Sequence, residues 1–334
     1  MPYNDIDFNE KLILITGGAG FIGSNIAFHI QENFPNSKII IFDCFRNEEV
    51  LSNGNLKSFG HFNNLINFQG EILCGDISVE NDLKKLSRYK FDFVFHQAAI
   101  SDTRVYDQEL VMKTNINSFY PIITQCIRDN SVLVYASSAA TYGSLPSPQV
   151  VGIELPENPY GFSKFAMDQI AYRAINENPS LKIVGLRFFN VYGEREFYKA
   201  KTSSMIIQLG HQIIKDSSPR LFFNSENIFR DFIYIEDVIQ ANIMACDTIR
   251  SGVYNVGTGV ARSFKDIVDI LQKELGTSFE VEYFQNPYKD YQNFTQADIS
   301  DSKKYLQFSP QYTLEKGIKK YIKAIKDTSF LNNF

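Results

Sequence analysis

Leu12-Ile13-Leu14-Ile15-Thr16-Gly17-Gly18-Ala19-Gly20-Phe21-Ile22-Gly23 is the stretch that decides the fold. Four apolar residues form a short buried strand. They run into glycines spaced both as G-x-G-x-x-G, at Gly18, Gly20 and Gly23, and as G-x-x-G-x-x-G, at Gly17, Gly20 and Gly23. Behind them Ile22, Ile26 and Ile30 recur at helical spacing, and Lys38 to Phe42 is a β-branched strand ending in Asp43, 20 residues beyond Gly23. A lone glycine match is weak, but strand, turn, helix and acid-ended strand in that order make a dinucleotide-binding βαβ unit. The small residues let the backbone approach a pyrophosphate. The helix N-terminus opened by Phe21 and Ile22 supplies N–H donors and partial positive charge. Asp43 is placed to bind a ribose hydroxyl.

Outward from this unit, apolar runs follow at Glu71–Cys74, Phe91–Phe95, Val132–Tyr135 and Ile183–Phe188, separated by helical patterns such as Leu110–Arg128 and Tyr160–Asn176. This alternation predicts an α/β fold with a doubly wound, Rossmann-like parallel sheet. Gly75-Asp76-Ile77 and His96-Gln97-Ala98-Ala99 each follow a strand, where such a sheet holds its ligand, so Asp76, Ile77, Gln97, Ala98 and Ala99 join the expected cofactor contacts. Residues 44–70 are rich in Asn, Gly and Ser and read as a long loop with a short helix. Asp43 favours an unphosphorylated ribose, whereas Arg46, Lys57 and His61 are basic residues suited to a 2′-phosphate. The cofactor expected is NADP, with NAD as the alternative.

Beyond Asn190 the alternation loosens. Helical patterns at Ser203–Lys215, Glu236–Thr248 and Phe264–Leu275 mix with short runs at Arg220–Phe223 and Val253–Val256. We assign residues 1–188 and about 233–257 to the cofactor domain, and about 189–232 and 258–334 to a smaller, mixed α/β substrate domain.

The 334 residues carry 33 basic and 38 acidic side chains, a net charge of −5 that excludes bulk electrostatic binding to nucleic acid. With 44% apolar and 21% charged residues the chain can bury a sizeable core. Cys44, Cys74, Cys126 and Cys246 stand far apart, so neither a disulfide framework nor a zinc knuckle is suggested, and no metal is expected. No run approaches the roughly 18 apolar residues of a membrane span. Asp5, Asp7 and Glu10 are wrong for a secretory signal, so a cytoplasmic protein without a membrane partner is expected.

Tyr160 and Lys164, four apart, share one helix face. The lysine charge should lower the phenol pKa, letting the phenolate accept a proton from a substrate hydroxyl. Tyr312 and Lys316 repeat the spacing without a strand-end serine nearby, and that copy is assigned to structure. Ser137-Ser138, just after the strand Val132–Tyr135, distinguishes the first pair, because a hydroxyl there can hold the oxygen that Tyr160 deprotonates.

The glycine turn, Tyr160-x-x-x-Lys164 and Phe189-Asn190-Val191-Tyr192-Gly193 resemble the extended short-chain dehydrogenase/reductase superfamily over most of the chain. Narrower segments resemble the ADP-glyceromanno-heptose 6-epimerase family: Tyr135 through Gly143, Arg195-Glu196-Phe197-Tyr198-Lys199, Ser225-Glu226-Asn227 leading to Arg230-Asp231-Phe232, and Tyr291 through Asp298. This resemblance implies an isomerase that inverts carbon 6 of ADP-D-glycero-D-manno-heptose by transient oxidation and reduction with bound NADP. It further implies a homo-oligomer, a pentamer, supplying heptose for lipopolysaccharide core.

The chemistry agrees. A secondary alcohol carbon without an acidic proton is hard to invert by deprotonation, whereas removing hydride gives a planar ketone reducible from its other face. A ketone that turns needs a second acid/base, and Lys199 matches the lysine the family uses, with Lys201 competing if the alignment slips. The resemblance also carries Cys44, Ser101, Thr114, Asn115, Val191 and Lys199 to the cofactor. It carries Ser138, Asn190, Lys201, Gln208, Phe222, Phe223, Asn224, Ser225, Arg230 and Tyr291 to the substrate. Cys44 stands where the family often has Asn, Thr114 where a first of two asparagines is typical, and Lys201 and Gln208 replace more usual contacts.

Three rivals are weighed. A nucleotide-sugar 4,6-dehydratase needs an acid and a base after the catalytic hydroxyl, and Ala139-Ala140 transfer no protons. A UDP-sugar 4-epimerase needs only the Ser/Tyr/Lys set and has no evident use for Lys199. A non-enzymatic dinucleotide sensor would be free to lose Tyr160 or Lys164, and both are present.

Overall fold

The computed structural model describes residues 6–286 and 293–331. Its strands are β1 (Leu12–Thr16), β2 (Lys38–Asp43), β3 (Glu71–Cys74), β4 (Phe93–His96), β5 (Val132–Ser138), β6 (Ile183–Phe188), β7 (Asn190–Tyr192), β8 (Arg220–Phe222), β9 (Phe229–Tyr234), β10 (Gly252–Val256), β11 (Ala261–Ser263) and β12 (Glu282–Phe284). Seven of them form one sheet in the order β10-β6-β5-β4-β1-β2-β3, with every pairing parallel. The apolar runs are unbroken because both faces are covered: Ile13 and Ile15 enter one core, while Leu14 enters the other. The sheet is the doubly wound architecture expected.

The order places the site. β2 lies on one side of β1 and β4 on the other, so the chain direction across the sheet reverses there and a crevice opens at the C-terminal ends. Register aligns those ends: Thr16 is opposite both Phe42 and His96, and His96 is opposite Tyr135. The glycine turn, Asp43, Gln97 and Ser138 therefore emerge along one rim.

Three elements depart from the sequence reading. The helix expected over Leu110–Arg128 is broken into helices Gln108–Met112 and Phe119–Asp129, joined by a π turn over Lys113–Asn117. Pro121 lacks the N–H that a continuous helix would donate to Asn117, which accounts for the break. β5 runs on to Ser138, so both serines belong to the strand. Tyr312 precedes the helix Leu314–Thr328, which Thr313 caps, so it shares no helix face with Lys316 and instead bonds Glu236 at 2.5 Å.

The smaller part has a mixed three-stranded sheet, β11-β9-β7, and the short parallel pair β12-β8. Helices Met205–Ile214, Phe264–Leu275 and Leu314–Thr328 bury Ile213, Leu271 and Ile325 in the core they share with one face of the large sheet. Ser263 and Asp266 form a reciprocal capping box at the second of these helices. Among the described residues no helix is long and apolar enough to cross a membrane.

Candidate active site

Gly17 turns with φ +67°, and a Cβ on it would lie 2.7 Å from the backbone nitrogen of Ala98. A Cβ on Gly23 would lie 2.3 Å from the carbonyl oxygen of Gly17, so the helix starts in contact with the turn that feeds it. The result is a cleft of about 440 Å³ with Gly17, Gly20, Phe21, Ile22 and Gly23 along one wall. Asp43, Cys44, Asp76 and Ile77 line one end, and Gln97, Ala98, Ala99, Ser101 and Thr114 continue the wall. Ser138, Tyr160, Lys164, Asn190, Val191 and Lys199 complete it.

These residues suit a dinucleotide. The Thr114 hydroxyl and the Gln97 side-chain oxygen are buried without a hydrogen-bond partner among the described residues, and both residues face the cleft. Asp43 accepts from the Ala19 N–H at 2.9 Å and the Phe45 N–H at 2.8 Å, which pins the carboxylate to the glycine turn. Its burial raises its pKa against the pull of those two donors.

Tyr160 and Lys164 lie in the first two turns of the helix Pro159–Glu177, which starts cleanly because Asn158 caps it and Pro159 occupies its first position. Lys164 is only 2% exposed and donates to the carbonyl of Ala136 at 2.7 Å. Burial lowers its pKa to about 8, with Asp168 one turn on opposing the shift. The phenol departs from expectation: burial raises the pKa of Tyr160, and only a hydrogen bond with Ser138 offsets part of that rise. Helical spacing brings Lys164 beside the ring, 5.9 Å from its centroid, but its N–H bond points to Ala136. Ser138 also accepts from the Ala140 N–H at 3.1 Å, which fixes its hydroxyl at the strand end.

Lys199 sits on the single-turn segment Phe197–Thr202, with Ala200 at φ +51° immediately after it. The buried Glu196 ties this segment down, accepting from Gly193 N–H at 3.1 Å and from the Ser204 N–H and hydroxyl at 2.7 and 2.8 Å. Desolvation lowers the Lys199 pKa, opposed by Glu196 and then Asp102. The ammonium stands 5.6 Å from the ring centroid of Phe21.

Residues 13–257 match the model of the NAD dependent epimerase/dehydratase family. The chain belongs to this family. It is 34% identical over 322 residues to ADP-L-glycero-D-manno-heptose-6-epimerase of Brachyspira hyodysenteriae, covering 94% of this chain and 98% of that protein. The crystal structure of ADP-L-glycero-D-manno-heptose-6-epimerase from Helicobacter pylori is 47% identical with a TM-score of 0.89, covering 98% of this chain and 99% of that one. UDP-glucose 4-epimerase from Thermotoga maritima, solved with UDP-glucose, is 26% identical with a TM-score of 0.83, covering 95% and 99%.

Not every residue carried over from the resemblance reaches the cleft of this epimerase/dehydratase family member. Asn115 is fully buried and spends its amide on the backbone of Ile100 at 2.9 and 3.0 Å and on Ser163 at 2.9 Å, so it braces the wall while Thr114 lines it. His61 is buried and stacked on Tyr198 with centroids 3.8 Å apart, and the Arg46 guanidinium donates to the Tyr198 carbonyl. Neither of these lines the cleft. Lys201 is exposed, and Gln208 donates to the Ser203 carbonyl at 2.7 Å.

Phe222, Phe223, Asn224, Ser225 and Arg230 lie in the smaller part, on β8, β9 and the turn between them, outside the cleft. The Ser225 hydroxyl is buried without a partner among the described residues, and Arg230 is buried. Tyr291 lies outside the described residues. The cleft also takes in Ser58, Phe59 and Gly60, Thr103 and Thr202, none of which was singled out by motif. The Asn- and Gly-rich composition of residues 44–70 was the one signal for the first three.

Proposed function

We propose that this chain inverts carbon 6 of ADP-D-glycero-D-manno-heptose to give the L-glycero epimer. What carries this reading is that one cleft is lined by both the Ser138/Tyr160/Lys164 set and Lys199, two proton-transfer groups where a 4-epimerase has use for one. The identity to the two ADP-L-glycero-D-manno-heptose-6-epimerases, against 26% to the UDP-glucose enzyme, supports it. A nicotinamide dinucleotide, when bound, supplies reversible hydride acceptance and return at the substrate carbon.

The chain's own residues supply the rest. Ser138 holds the reacting oxygen, and Tyr160 takes or returns its proton. Lys164 anchors the tyrosine's helix to β5 and places a positive charge beside the phenol. Lys199, desolvated and tied down through Glu196, serves the oxygen once the ketone has turned away from Tyr160. Asn190 in the cleft, with Phe222, Phe223, Asn224, Ser225 and Arg230 beyond it, is assigned to the nucleotide sugar. Residues 1–188 and about 233–257 hold the dinucleotide, and 189–232 with 258–334 hold the sugar.

NADP is the proposed dinucleotide, with Lys57, the one of the three basic residues that lines the cleft, facing the 2′-phosphate. One observation favours NAD: Lys57 already pairs with Glu49 at 2.7 Å and lies 3.8 Å from Asp76. Nucleotide released from heat-denatured protein and identified by chromatography decides between them. The resemblance also supports a cytoplasmic homo-oligomer, a pentamer, which analytical ultracentrifugation would weigh.

The reading is tested by proton NMR of ADP-D-glycero-D-manno-heptose incubated with the purified protein without added cofactor. The L-glycero epimer should accumulate to equilibrium. No change, even with NADP or NAD added, would sink the substrate assignment, and UDP-hexoses would be tried next.

A further inference from the structure

Tyr198, the neighbour of Lys199, is held by a segment that belongs to the other end of the cleft. Its ring stacks on His61 with centroids 3.8 Å apart and planes 5° from parallel. Its hydroxyl accepts from the Asn63 amide at 2.7 Å, and its carbonyl accepts from Arg46. Three side chains of residues 46–63 thus converge on one tyrosine. Arg195, at φ +72°, adds a fourth tie by donating to the Asn64 carbonyl at 2.6 Å. Between these contacts the same segment passes Lys57 to Gly60 along the cleft wall beside Asp43.

The turn that presents Lys199 needs such restraint. Arg195 and Ala200 both hold positive φ without being glycine, a conformation that persists only where the surroundings impose it. Glu196 ties the turn to Gly193 and Ser204, whereas Tyr198, with Arg195, ties it to the segment that runs along the dinucleotide side. A displacement of about 1 Å in a reacting group costs on the order of 10²-fold in rate.

We propose that Tyr198 is a positioning residue for Lys199: the 46–63 segment grips it by stacking and hydrogen bonding, and so sets where the second proton-transfer group stands in the cleft. A substrate or cofactor that packs on Lys57 to Gly60 presses on the same segment, which links occupancy of that end to the placement of Lys199. This rests on the reading of Lys199 as the second acid/base.

The test uses the purified full chain with its bound dinucleotide, comparing Y198A, Y198F, N63A and K199M for kcat, KM, the pH profile of inversion, and dinucleotide content per chain. Y198A should lose about 10²-fold in kcat with KM little changed, and its pH profile should move. Y198F keeps the stack and should recover most of the rate. N63A, which leaves Tyr198 itself intact, should lose a few-fold with a smaller shift of the profile. Wild-type kcat and pH profile in both Y198A and N63A would overturn the proposal, as would a kcat loss that merely follows lost dinucleotide. K199M separates the two ideas: if it inverts at the wild-type rate, the Lys199 reading itself fails. If K199M is inactive while Y198A is unimpaired, only the positioning role fails.

Discussion

The ammonium of Lys164 bonds the carbonyl of Ala136 at 2.7 Å, which fastens the helix bearing Tyr160 to β5 two residues before Ser138. Tyrosine, serine and lysine thereby form one rigid unit, and the charge of the lysine is part of it. With its pKa lowered to about 8, Lys164 is charged below that pH and neutral above it. The inversion rate should therefore fall as pH rises through about 8, and Lys164→Arg should move that fall upward at a lower maximum rate. The effect on folding has the opposite sense. An unfolded lysine titrates at about 10.4, so between the two values the unfolded chain binds more protons and this group's contribution to stability rises with pH. Rate profiles and denaturant midpoints at pH 7 to 10 check both signs.

The glycine turn makes two substitutions unequal. A Cβ on Gly20 meets only the Gly17 carbonyl, at 3.2 Å, and Gly20 lines the cleft. Gly20→Ala should fold with a melting temperature near wild type while dinucleotide affinity drops tenfold or more. Gly23→Ala drives its methyl into that same carbonyl at 2.3 Å and should lower the melting temperature as well. Thermal melts with and without added NADP or NAD separate the two.

Asp102 is a clasp. Its carboxylate accepts from the amides of Asn53 at 2.9 Å and Asn55 at 2.5 Å, while Leu51 packs with Ile100, Val105 and Val111. This joins the loop after β2 to the loop after β4, both of which contribute to the lining of the cleft. Asp102→Ala removes bonds worth about 1 kcal/mol each. Bound dinucleotide should then exchange about tenfold faster, read by displacement with a fluorescent analogue, and the melting temperature should fall by a few degrees.

Arg187, on β6 opposite Ser137 of β5, is fully buried and donates twice to Asp168, at 3.0 and 2.8 Å, and once to Glu154 at 2.6 Å. Tyr135 and Ser137 give Asp168 two further donors. Arg187→Met strands the carboxylate and should cost about 3–5 kcal/mol in chemical denaturation. The double variant Arg187→Met, Asp168→Leu should recover much of that loss, because the uncompensated charge leaves with its partner.

The glycine spacing, Asp43 and the strand-end serines were legible because each depends on residues close in sequence, and the parallel sheet then places them on one rim. What escaped depends on distant partners. Residues 58–60 looked like loop because nothing local shows that Asp102, through Asn53 and Asn55, and Tyr198, through His61, hold their flanks beside the cleft. Asn115 was misjudged because a motif position gives proximity to the cofactor, not which polar groups have already taken the amide. The phenol of Tyr160 was misjudged because i, i+4 spacing says that Lys164 is near, not where its N–H bonds point. The short strands β7, β11 and β12, three residues each, carry too few residues for an alternation to show.

The strand order has a consequence for synthesis. β6 ends at Phe188, but its second neighbour in the sheet, β10, is built from Gly252–Val256, after the chain has formed β7, β8 and β9 elsewhere. Until residue 256 has left the ribosome, β6, every residue of which ends up buried, keeps an open edge able to pair with another nascent chain. Translational pauses between residues 188 and 256 should therefore be the ones that lower soluble yield, and chaperone cover should matter most in that window.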